Sequence, residues 1–176
     1  DSVEAKKATL ALAKMKKPAY LRLAREKSPI ITTLDTPFEI GKAQVFYESD
    51  GLAHAGIIAI GALVHNALKA ARQLEKEGIR VKVLNMATIK PLDTDAVIAL
   101  AKESRAIVTV EEHQQAGGLG SAVAECLAQT VPTAMEFLGV NDRFGQSGTP
   151  NELIERYGMG VKDIIAAVKR VIDRKK

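Results

Sequence analysis

From Ala43 onward two apolar rhythms alternate along the chain, and that alternation restricts what it can fold into. The run AGIIAIGA (residues 55–62) is apolar throughout, the pattern of a strand buried on both faces of a sheet. Directly after it, LVHNALKAARQLEKEG sets Val64, Ala67, Leu68, Ala71 and Leu74 at helical spacing, with Gly78 as a carboxyl-terminal cap. The alternation then repeats. IRVKVLNM predicts a strand, and IKPLDTDAVIALAKES predicts a proline turn and a helix capped by Asp93. RAIVTVEE predicts a strand, SAVAECLAQ a helix and TAMEFLGV the last strand. GTPNELIERYG predicts a short helix with Thr149 at the cap, Pro150 at the first position and Glu152 closing a capping box. A final helix from Val161 carries Ile164, Ile165, Val168, Val171 and Ile172 on one stripe. The fold class is therefore α/β, a three-layer, mostly parallel sheet with helices on both faces. AQVFYES lies one short turn before AGIIAIGA, so the two are expected to form a hairpin with one antiparallel edge strand.

Residues 1–42 follow a different pattern. Residues 2–16 predict a helix capped by Asp1 or Ser2, with Val3, Ala8, Ala11, Leu12 and Met15 on one face and Pro18 ending it. Ala19–Ala24, AYLRLA, alternates apolar and polar and predicts a strand, followed by an extended connection from Glu26 to Lys42. One helix and one strand cannot build a core. Residues 1–25 are therefore expected to be a helix–strand remnant of a preceding domain, with the main domain starting at about Ala43.

Composition narrows the function. Aromatic residues make up 4% and tryptophan is absent, so the core is aliphatic. The lone Cys126 cannot form an internal disulfide and is expected beside Val123 and Leu127 as a buried, inert thiol in a reducing compartment. The net charge is +4, yet the basic stretches lack the interleaved aromatics that stack on bases, so no nucleic-acid partner is expected. No apolar run reaches the roughly 18 residues of a membrane span, so no membrane partner is expected either.

The stretch TVEEHQQAGGLGSAVAE joins a strand to a helix through three glycines, Gly117, Gly118 and Gly120. A dinucleotide fingerprint needs a small third residue, and Val123 stands there, although Asp142 is in range of the acidic position. A P-loop lysine is missing as well. The glycines are read as a tight turn, with Ser121 capping the helix. His113 lies at a strand's carboxyl end, where α/β chemistry is sited, but His54, His65 and His113 have no zinc-ligand spacing.

Several segments in order (KPAYLRLARE, IAIGALVHNALKAARQLEKEGIRVKVLNMATIKPLD, IVTVEEHQQAGGLGSAVAE and DRFGQSGTPNELIERYGM) resemble the carboxyl-terminal third of transketolases, and most nearly the second subunit of split transketolases. Deoxyxylulose-phosphate synthases and the β subunits of 2-oxoacid dehydrogenases share this domain. The resemblance implies a parent enzyme that uses thiamine diphosphate and Mg²⁺ to move two-carbon ketol units between sugar phosphates, in the cytoplasm. It implies that residues 1–31 are a remnant of the pyrimidine-binding domain, its last helix and strand, that 32–42 are a linker and that 43–176 form the transketolase C-terminal domain. It also implies that Arg25, with Arg22 as a second choice, binds the substrate phosphate. The Gly-Asp-Gly cofactor motif and the activating glutamate do not occur in this sequence. The chain alone is thus expected to bind no cofactor or metal and to have no catalytic residue. Its partners are expected to be a second copy, an N-terminal transketolase subunit, or both, with His113, Gly117, Gly118 and Gly120 near an interface. A non-catalytic regulatory module, or a nucleotide site at Gly118, are the other readings.

Overall fold

In a computed structural model, residues 1–175 are described. Helix α1 (Ser2–Lys14) is followed by an extended passage and then by a five-stranded α/β body. The body runs β1 (Gln44–Glu48), β2 (Ala55–Ala59), α2 (Leu63–Lys76), β3 (Val81–Asn85), α3 (Thr94–Ser104), β4 (Ala106–Gln114), α4 (Leu119–Gln129), β5 (Ala134–Val140), α5 (Pro150–Arg156) and α6 (Val161–Arg174).

The strand order is β1-β3-β2-β4-β5. The four inner and right-hand strands are parallel, and β1 joins β3 antiparallel with Gln44 opposite Asn85. The antiparallel edge strand is as expected, but the hairpin is not. The crossover through α2 lays β3 beside β2, and β1 then pairs with the outer side of β3.

The apolar runs explain the layers. Every residue of β2 is buried, as a central parallel strand requires. On one face the stripe of α2 (Val64, Ala67, Ala71, Leu74) meets that of α6 (Ile164, Val168, Val171). On the other face, Val97 and Leu100 of α3 pack with Leu119, Val123 and Leu127 of α4. Cys126 is only partly buried at the edge of this second cluster, a correction to the buried thiol expected from its helical position.

Ala19–Ala24 forms no strand. Alternation supplies the two faces of a strand, but a ladder also needs a neighbour, and all five strands of the sheet already lie within residues 44–140. Helix α1 has the Asp1 cap, whose Oδ1 accepts from the N–H groups of Val3 and Glu4, and buries none of its residues. Polar contacts seat it. Asp1 Oδ2 also accepts from the N–H groups of Ile31 (2.7 Å) and Thr32 (2.6 Å), Lys7 donates to the carbonyls of Thr33 and Thr36, and Asn85 Nδ2 donates to Glu4.

Candidate functional site

In a sheet of this topology, ligands sit beyond the carboxyl ends of two neighbouring strands whose following helices leave to opposite faces. Here those strands are β2 and β4, since α2 covers one face and α4 the other. The carboxyl end of β4 carries Glu111, Glu112 and His113, and the glycine turn leads from it into α4.

Glu111 decides what this crevice can do. Its neighbours Val108 and Val110 face the α2–α6 core, while Ile107 faces the α3–α4 core. Alternation therefore turns Glu111 toward α4. Its side chain is 2% exposed, and its two carboxylate oxygens accept from the first backbone N–H groups of α4: Leu119 to Oε2 and Gly120 to Oε1, both at 2.7 Å. The carboxylate thus takes the place at the helix start where a phosphate would otherwise bind, satisfying unpaired N–H groups and the positive end of the helix dipole. Two glycines make this possible. A Cβ at Gly118 would lie 2.0 Å from Glu111 Oε2, and one at Gly120 would lie 2.7 Å from the Phe137 ring and 2.9 Å from Thr109 Oγ1.

The cap of α4 is therefore Gly118 with Glu111, and the helix starts two residues before the expected Ser121 cap. Ser121 instead pins the turn: its Oγ accepts from Gly117 N–H (2.8 Å) and donates to the Gln115 carbonyl (3.1 Å). Gly117 adopts φ +80°, a left-handed turn suited to glycine.

The other singled-out residues divide into two groups. His113 is exposed at the rim, its Nδ1 2.9 Å from the Gln114 carbonyl. Arg22 reaches the same rim from the amino-terminal passage and donates to the Glu112 carbonyl at 3.0 Å. So Arg22, His113, Gly117, Gly118 and Gly120 gather at one end of the sheet. Arg25 stands apart. Its side chain is 92% exposed and, among the described residues, pairs only with the adjacent Glu26 at 3.0 Å.

The family model described as the transketolase C-terminal domain matches residues 42–164. The chain belongs to that family. It is 39% identical over 158 residues to a 6-deoxy-6-sulfo-D-fructose transketolase subunit of Clostridium sp. (strain MSTE9), a match covering 90% of this chain and 48% of that subunit. It is 37% identical over 161 residues to a 1-deoxy-D-xylulose-5-phosphate synthase of Syntrophus aciditrophicus (strain SB), covering 89% of this chain and 24% of that enzyme. A split-gene transketolase, solved as an inactive β4 tetramer, superposes with a TM-score of 0.94 at 39% identity, over 100% of this chain and 57% of the other. The chain thus spans about half the length of the split subunits it matches.

Thiamine diphosphate with Mg²⁺, the cofactor pair of the resemblance, does not fit the glycine-rich start of α4. The glycine-rich helix start is filled by Glu111, whose charge would repel a diphosphate. Among the described residues no three His, Cys, Asp or Glu side chains cluster to hold a metal.

Proposed function

We propose that this chain is the carboxyl-terminal part of the second subunit of a split, thiamine diphosphate-dependent transketolase, whose parent transfers two-carbon ketol units between sugar phosphates. The observation that carries this is the likeness, over all of this chain, to part of a split-gene transketolase, supported by the match to a split transketolase subunit. In this reading residues 1–31 close the pyrimidine-binding domain, 32–42 link, and residues from 43 serve subunit assembly. The assembly is a homodimer or higher oligomer that also engages an N-terminal subunit in the cytoplasm. Chemistry at the cofactor belongs to the rest of the parent.

This chain's own contribution to substrate is Arg25, whose exposed fork would exchange its neighbour Glu26 for bidentate pairing with a tetrahedral oxyanion. A sulfonate, such as the one in the name of the Clostridium subunit, offers the same oxygens as a phosphate. Arg22, already committed to the Glu112 carbonyl, is better placed to seat the passage that carries Arg25.

The test is made in the intact parent. Arg25→Ala should raise KM for phosphorylated sugars by about one to two decades, the equivalent of losing a charged hydrogen bond of roughly 1.5–3 kcal/mol, and leave unphosphorylated sugars nearly unaffected. Arg25→Lys should recover part of the loss. Equal losses on both sugar types would make Arg25 structural, and ketol transfer by the 176-residue chain alone would overturn the division of labour.

A further inference from the structure

At the β1 edge of the sheet, the connection at residues 30–36, strand β1 and helix α2 enclose a half-open cleft of about 510 Å³. Small-molecule sites usually measure about 300–1,000 Å³. The lining of the cleft includes the apolar side chains of Ile30, Val45, Phe46 and Leu68. The α2 wall presents His65, Lys69 and Arg72, four and three residues apart and so on one helix stripe.

Lys69 and Arg72 are not neutralised from within. No carboxylate lines the cleft. Lys69 and Arg72 form no ion pair or hydrogen bond among the described residues. Glu75, one turn after Arg72, is engaged by the Tyr47 hydroxyl instead. Burial, and then the charges of Lys69 and Arg72, hold the His65 pKa below its ordinary value, as expected where positive charges face one another without an anion.

We propose that this cleft binds a phosphate ester with a flat or apolar organic part, of nucleoside monophosphate size. The phosphate sits on Lys69 and Arg72, where the guanidinium offers a bidentate fork, and the organic part lies on Val45, Leu68 and Ile30. The inference does not rest on the transketolase reading, because it uses none of the residues at the β4 end. One wall is the connection between α1 and the body, so an occupied cleft ties the amino-terminal passage down.

The probes are AMP, inorganic phosphate and adenosine, titrated calorimetrically against the full chain. AMP should bind at least about tenfold more tightly than phosphate or adenosine, and should slow hydrogen exchange at residues 30–36. Lys69→Ala/Arg72→Ala should weaken AMP at least about tenfold. Lys76→Ala, on the same helix but outside the cleft, should change nothing. Circular dichroism confirms that each variant is folded. Absence of AMP binding, AMP binding no better than phosphate, or AMP binding unaffected by the double substitution would each overturn the proposal.

Discussion

Residues 1–40 and residues 43–175 are held by different forces. In the body, aliphatic side chains do the work. Every buried hydrophobic residue among those described lies at Ala53 or beyond, and Leu74, Ile57 and Ile164 are wholly inaccessible. In the amino-terminal passage only Thr32 is buried, and apart from Ile31, which packs at the edge of the α2–α6 core, the contacts are hydrogen bonds to Asp1, Glu4, Lys7 and Arg22. Hydrogen bonds of this kind exchange one polar partner for another and stabilise by about 0.5–1.5 kcal/mol each, whereas burying a Leu is worth about 1.5–3 kcal/mol. Meanwhile the passage leaves Leu10, Met15, Tyr20, Leu23, Ile30 and Leu34 exposed, more than half of all the large apolar side chains so displayed. The body is built to fold. The passage is held in register by polar clips and keeps its apolar surface for something else.

The sharpest way to break this comparison is a pair of single substitutions. Leu74→Ala should cost about 2–5 kcal/mol, because it opens a cavity between α2 and α6. Arg22→Ala should cost no more than about 0.5 kcal/mol, since it removes one exposed contact. Urea midpoints measure both, and equal losses would show that the passage belongs to the main core.

A deletion sharpens the same contrast. Without residues 1–30 the body should stay folded and become more soluble, because the uncovered apolar stripe is gone and the body's core is intact. The full chain should form a dimer or larger species. Light scattering on the two chains measures the difference. A full chain that remains monomeric at high concentration removes the case for association through this segment.

The smallest effect is a pH slope in the body. Burial first, then the charges of Arg80 and Lys175, lower the His54 pKa from its ordinary 6.5, and its Nδ1 accepts from the Arg80 N–H at 3.2 Å. The unfolded chain therefore takes up a proton in a range where the folded one does not. Stability from this group is complete above about pH 6.5 and declines as pH falls from there toward the lowered folded value. Urea midpoints at pH 7 and 5.5 should differ in that direction, and His54→Gln should flatten the slope.

Most of the body was legible because each of its elements carries its own signal. AGIIAIGA could only be a central strand, and the α2 and α6 stripes name the face they bury. What failed depended on neighbours. The β1–β2 hairpin was inferred from closeness in sequence, but strand order is set by where α2 sends β3. AYLRLA has the period of a strand and no ladder to join. At the candidate site the glycines were legible and the reason for them was not. The group they admit comes from Glu111, across the turn, and the local cap signal of Ser121 pointed elsewhere. Strand parity alone would have found it, since Glu111 falls on the same face as Ile107, toward α4.

The fit of Glu111 against Gly118 and Gly120 also restricts how this domain can change over time. Alanine at position 118 collides with the carboxylate while Glu111 is present, and shortening Glu111 alone strips two buried N–H groups of their acceptor. Each step is harmful when taken first, and shortening residue 111 removes only part of the obstacle, since a Cβ at 118 would still lie 2.8 Å from the Gln114 carbonyl. Glycine at 118 is thus demanded twice, by the Glu111 carboxylate and by the Gln114 carbonyl, so it is expected to persist even in relatives that have given up the long acid at 111.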